Sequence, residues 1–226
     1  MRRPTGIVLA LLWWSFSALA VEDNYAAERA ACEAKLAAQP TNCAVLLALG
    51  KLCHNRATLK VPDAGDAVAL AEKYLKRLLQ LEPRHAFGRA LLGSTIVLTA
   101  KEAWLPTTKI SRVHRGLAEM DAALKDSPDD ENARFTRASN NLFLPDFFDR
   151  KDIVMADFAW LQERADKGRF EPEFRQYVVL FHGQAQEKYG DKVRARKLWR
   201  AGLAIDPKSK VADELRHALA PGSVTQ

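Results

Sequence analysis

Three cysteines, five histidines and three methionines in 226 residues leave little from which a metal centre or a redox pair could be built. The histidines, His54, His85, His114, His182 and His217, keep no metal-ligand spacing to one another or to cysteine, so no metal ligand is nominated. There is no HExxH, no Gly-x-Ser-x-Gly, no phosphate-cradling glycine loop and no paired-cysteine motif. Gly50-Lys51-Leu52-Cys53-His54 is a haem-attachment motif with glycine where the first thioether cysteine must stand, which argues against haem. With no catalytic residue and no cofactor to nominate, the chain is expected not to be an enzyme. Period-two alternation bounded by hairpin turns is missing too, so strands have almost no support. Basic and acidic residues are interleaved, without a basic stripe carrying aromatics, and nucleic acid is not an expected partner. Beyond the first 20 residues no apolar run approaches the roughly 20 needed to span a bilayer.

What is present starts at the N-terminus. Arg2-Arg3 precedes the apolar run Ile7 to Phe16, which is too short to span a bilayer, and Ala18-Leu19-Ala20 places small residues three and one before a cut. Met1 to Ala20 therefore reads as a Sec-type signal peptide cleaved after Ala20, with a periplasmic product beginning at Val21; an uncleaved anchor is the alternative. No cysteine follows the cut to take a lipid. Loss of Arg2 and Arg3 lowers the formal net charge from +6 to +4. Residues 21–220 read as one helical repeat domain and 221–226 as a disordered tail.

If Tyr25 to Gln39 and Cys43 to Asn55 are antiparallel helices joined near Pro40-Thr41-Asn42, Cys32 lies about level with Gly50, one turn from Cys53. Cys43 and Cys53 on one helix would stand about 15 Å apart, too far for a bridge. The expectation is a Cys32–Cys53 disulfide with Cys43 free, and the alternative is three buried thiols never bridged.

Prolines at 40, 83, 128, 172 and 207 punctuate the chain at intervals of 43, 45, 44 and 35 residues. A small residue follows each of the first four, at Gly50, Gly93, Ala138 and Gly183, inside an apolar helical pattern. Proline cannot continue the preceding helix and tolerates the first turn of the next, so it marks corners between stacked units. A second helix is predicted in each unit: Asp66 to Leu81, Ser111 to Lys125, Lys151 to Ala165 and Asp191 to Ile205. Asp66, Ser111 and Asp191 stand where a side-chain oxygen can cap a first turn. Gly50, Gly93 and Gly183 each cost about 1 kcal/mol of helix propensity against alanine, which close approach of the paired helix would offset. Ala71, Gly116 and Ala195 are the matching small residues opposite.

The last unit, Glu173 to Pro207, resembles a tetratricopeptide repeat: Val179-x2-His182-Gly183-x2-Gln186, then Ala195-x3-Trp199, then Pro207 keeps the glycine, the Ala-x3-aromatic step and the proline. Ala71-x3-Leu75 to Pro83 keeps the same spacing, Gly116-x3-Met120 to Pro128 is a weaker copy, and Ala156-x3-Trp160 stands four residues further from Pro172. The other units carry insertions, Asn55 to Gly65, Lys101 to Ile110 and Phe143 to Arg150, and their longer period also suits a HEAT-like array. Either resemblance implies an all-α fold, a short right-handed solenoid of antiparallel helix pairs with a concave face.

In the resembled family the first helix of each unit lines a groove that holds partner peptides. Alignment at the small residue places Lys51, His54, Phe87, Ser94, Phe135, Ser139, Tyr177, Gln184 and Glu187 toward it, unless Phe87, Phe135 and Tyr177 simply fill core. The insert around Pro145 brings Phe143, Phe147 and Phe148 together, and Trp104 stands in the preceding insert; these form either a docking patch or a loop folded down onto the solenoid. The implied function is a protein or peptide interaction module of the cell envelope, with a carrier of a small hydrophobic ligand as the alternative.

Overall fold

The structure, a computed structural model, describes residues 10–59 and 61–220, with side chains from Asn24 onward. Of the signal-peptide reading, residues 1–9 and all side chains of Met1 to Ala20 lie outside what is described, as does the tail at 221–226. The described residues form ten α-helices and two single turns of 3-10 helix, with no strand among them. In order they are α1 (Ala10–Ala38), α2 (Cys43–Thr58), α3 (Ala64–Leu81), α4 (Ala86–Thr99), α5 (Pro106–Asp126), α6 (Glu131–Leu142), α7 (Lys151–Asp166), α8 (Pro172–Lys188), α9 (Lys192–Ile205) and α10 (Lys210–Leu219). No helix among the described residues is long and apolar enough to cross a membrane.

The helices pair as α2 with α3, α4 with α5, α6 with α7 and α8 with α9, and each of the even helices also meets the next even one. All five predicted prolines fall at corners, Pro172 as the first residue of α8 and the others in the turns between helices. Three turns carry a carboxylate or carboxamide cap: Asn42 accepts from Val45 N at 3.1 Å, Asp130 from Ala133 N at 2.8 Å and Asp191 from Arg194 N at 2.9 Å. Two expected caps are misplaced. Ser111 lies inside α5, because Pro106 starts that helix five residues earlier, and Asp66 lies in the first turn of α3 rather than before it.

Within each pair the contact is made at the small residues. A Cβ added to Gly93 would lie 2.5 Å from the Gly116 carbonyl oxygen, and one added to Gly116 would lie 2.5 Å from the Gly93 carbonyl oxygen. The two backbones touch directly. At Gly50 the obstacle is Leu75, whose Cδ2 would be 2.6 Å away, and at Gly183 it is the Trp199 indole, whose Nε1 donates to Leu180 O at 3.0 Å. Leu75, Met120 and Trp199 all stand four residues after the small residue of their own helix, so a small-x3-large step slots under a glycine.

The third unit corrects the sequence reading. Ala156 is exposed, and Trp160 lies between two guanidinium groups, with Arg134 4.2 Å and Arg164 3.2 Å from its ring centre. The buried step is Val154-x3-Phe158, in one apolar cluster with Ala138. Asp157 beside it is buried and accepts from Arg134 Nη1 at 2.6 Å and from Arg137 Nε and Nη2 at 2.8 Å, so its charge is paired and hydrogen-bonded.

The core is serial. One apolar cluster joins α1, α2, α3 and α4, a second α4, α5 and α6, a third α6, α7 and α8, and a fourth α8, α9 and α10. The expected Cys32–Cys53 bridge is not formed; all three cysteines are free thiols. Cys32 and Cys53 pack in the first cluster, but the Cys53 sulfur takes the Tyr25 hydroxyl at 3.6 Å, and burial pushes its thiol above the usual range, which disfavours the thiolate needed for exchange.

Gly93→Ala should lower the free energy of unfolding by about 2–3 kcal/mol, because a backbone carbonyl cannot step aside. Gly65→Ala, whose new methyl meets only the mobile carboxylate of Glu102 at 3.0 Å, should be neutral or slightly stabilising. Chemical denaturation of both variants checks this, and equal effects would contradict it.

Candidate functional site

With α3, α5, α7 and α9 covering one side, α2, α4, α6 and α8 leave their other side open. A groove of about 740 Å³ runs across it. It brings together Lys51, His54, Phe87, Ser94, Phe135, Ser139 and Tyr177, drawn from all four helices. They converge because the inner helices lie side by side in one register, so equivalent positions face the same way.

Gln184 and Glu187 do not line it. Gln184 lies instead against α10, beside Asp213, Glu214, His217 and Ala218. The reason is positional: the residue after the small one points toward the following inner helix, as Ser94 on α4 does toward Asn140 on α6. After α8 the following helix is α10. Glu171, Glu173, Phe174 and Phe181 on α8 and its cap, and Asn132, Thr136 and Asn140 on α6, are groove residues that the small-residue alignment missed. Phe174 and Phe181 stand three before and four after Tyr177, and following that helical stripe from Tyr177 finds both.

The floor of the groove is a polar string across three helices. His54 of α2 is 9% exposed; its Nδ1 lies 3.1 Å from Thr95 Oγ1 and its Nε2 3.3 Å from Ser94 Oγ, both on α4. Ser94 donates in turn to Asn140 Oδ1 on α6 at 3.1 Å, and Asn140 Nδ2 donates to Thr136 O at 2.8 Å. A proton on Nε2 lets His54 donate to Ser94, which donates on to Asn140, while Thr95 gives its own hydroxyl proton to Leu91 O at 2.8 Å. Burial lowers the His54 pKa to about 4.

The wall toward α8 is aromatic. Phe135 meets Phe174 at 5.3 Å and Phe181 at 5.4 Å, both edge-on, and reaches the core through Phe158 at 6.4 Å. These rings therefore serve both as packing and as lining, half-buried with one side in the groove. A second buried histidine lies beneath them. His182 stacks on Phe158, takes Gln186 Nε2 on its Nε2 at 3.0 Å, and is held neutral by burial and then by the nearby Arg194 charge, with a pKa of about 4.

The inserted loops divide. Leu144 and Phe148 fold down onto the second cluster, where Phe148 meets His114 edge-on at 5.3 Å. Phe143 remains 61% exposed, Phe147 69% and Trp104 91%. Phe143 continues the aromatic row outward through Phe181, 6.0 Å away. Among the described residues no three His, Cys, Asp or Glu side chains converge to hold a metal ion.

No family model matches the chain, and no curated protein matches it. Among solved structures it is similar to a thermophilic TPR protein of Thermus thermophilus, with a TM-score of 0.67 and 17% sequence identity over 90% of this chain and 94% of that one. The fold is a TPR-like solenoid. The helices of this TPR-like fold that line the groove are the first members of each pair.

Both buried histidines have folded pKa values below the ordinary 6.5, so the folded state binds fewer protons than the unfolded one between pH 6.5 and about 4. Stability should be full above the upper value and fall as pH drops through this window, by an amount on the order of 2 kcal/mol per histidine near pH 5. His54→Gln should flatten part of that slope. Denaturation midpoints at neutral and acidic pH check it, and a variant as acid-sensitive as the wild type would contradict it.

Proposed function

We propose that this chain is an exported interaction module that holds an extended segment of a protein partner in the groove of α2, α4, α6 and α8. The observation that carries the reading is the convergence of side chains from four helices on one continuous groove of about 740 Å³. Its lining suits a peptide. Half-buried rings at Phe87, Phe135, Phe174 and Tyr177 offer apolar contact area at low entropic cost, and the carboxamides and hydroxyls of Asn55, Asn132, Asn140 and Ser139 can meet a peptide backbone between them. A carrier of a small hydrophobic ligand would be better served by an apolar, enclosed cavity than by this mixed wall. Export rests on the sequence of Met1 to Ala20, and it assigns the partner to the cell envelope. No catalytic step is proposed.

A photoreactive benzoyl-phenylalanine placed at Tyr177 should crosslink to a protein of the envelope fraction in intact cells of origin. The same probe at the exposed Arg200 of α9, on the covered side, should not. The crosslinked chain should begin at Val21. Failure to capture a protein from Tyr177, or equal capture from both positions, would contradict the reading.

A further inference from the structure

Resting on the groove reading above, we propose that the α6–α8 end of the groove takes a basic side chain of the bound segment. The segment then lies with its positive part over Phe174, Tyr177, Glu171 and Glu173 and away from Lys51.

The charges in the groove are few and segregated. Lys51 of α2 lines one wall, and Glu171 and Glu173 line the other, at the start of α8. All three are exposed, and none has an ion-pair partner among the described residues. Elsewhere in the protein, arginines next to carboxylates are bound to them, as Arg89 is to Glu119 at 3.0 Å and to Asp126 at 2.9 Å. The pair at the start of α8 is left without such a cation.

The carboxylates stand beside aromatic faces. Glu173 and Tyr177 are four residues apart on one helix, so they share a face, with Phe174 adjacent. Phe135 meets Phe174 by an edge, which leaves ring surface turned to the groove. The negative field extends to the tyrosine: after burial, the carboxylates of Glu214 and Glu173 push its hydroxyl above the usual tyrosine range. An ammonium or guanidinium group seated there gains the ring quadrupole and the carboxylates together. An acidic side chain there would meet two unpaired like charges, so this end of the groove disfavours it. Glutamates in a first turn also offset the α8 helix dipole, but that role requires neither an aromatic floor nor a groove beside them.

The test uses the purified full chain panned against a random dodecapeptide display library, followed by fluorescence anisotropy of the selected peptides. Lysine or arginine should be enriched at one fixed position. The Glu171→Gln/Glu173→Gln double variant should bind those peptides about tenfold more weakly, with the difference shrinking as salt rises, while Arg200→Gln, on the exposed face of α9 outside the groove, should not weaken them. A Glu171→Lys/Glu173→Lys variant, panned afresh, should select aspartate or glutamate at that position; thermal melts confirm that each variant is folded. Selected peptides that bind the groove without a fixed basic residue, or that bind the double glutamine variant as tightly as wild type, overturn this inference and leave the groove reading standing. If no selected peptide loses affinity on Tyr177→Ala, both fall.

Discussion

The structure depends on how closely the two helices of a pair can approach. At Gly93 and Gly116 the carbonyl of each backbone occupies the space that a side chain on the other would need. Each glycine in a helix costs about 1 kcal/mol of propensity, which at these two positions the close approach offsets in packing. Gly50 against Leu75 and Gly183 against Trp199 solve the same problem differently, by receiving a large side chain from the helix opposite. Both solutions fix the depth and rotation of one helix against its neighbour. They thereby fix which stripe of the inner helix is left to face away.

From that constraint the groove follows. The inner helices α4, α6 and α8 each contribute to two consecutive apolar clusters, so they are held from both sides and cannot rotate independently. His54 adds a polar tie from α2 to α4, and Ser94 with Asn140 extends it to α6. Side chains far apart in sequence, such as Lys51 and Tyr177, are thus carried to one surface by rigid elements. A surface of this kind is suited to recognition because little of its own ordering entropy remains to be lost on binding.

The fold was legible in the sequence wherever the signal was a spacing. The prolines mark the corners, Gly50, Gly93 and Gly183 sit at the close contacts, and seven groove residues follow from counting outward from the small positions. The errors have physical causes. Ala156 and Trp160 match the small-x3-aromatic pattern by composition, yet a buried carboxylate at Asp157, neutralised by Arg134 and Arg137 from α6, rotates the true inward step to Val154 and Phe158. A buried ion network cannot be read from a hydrophobic pattern. Gln184 was displaced because the stack ends in α10, and Ser111 because Pro106 had already begun α5. The three cysteines are free thiols, and the Cys53 sulfur instead takes the Tyr25 hydroxyl, a contact that no spacing encodes.

The central claim is that binding occurs on the inner stripe alone. Amide hydrogen exchange, with and without the segment captured through Tyr177, measures it most directly. Slowed exchange confined to α2, α4, α6 and α8, with α3, α5, α7 and α9 unchanged, is the required result. Protection centred on the outer helices, or only on the loop carrying Phe143 and Phe147, would contradict it.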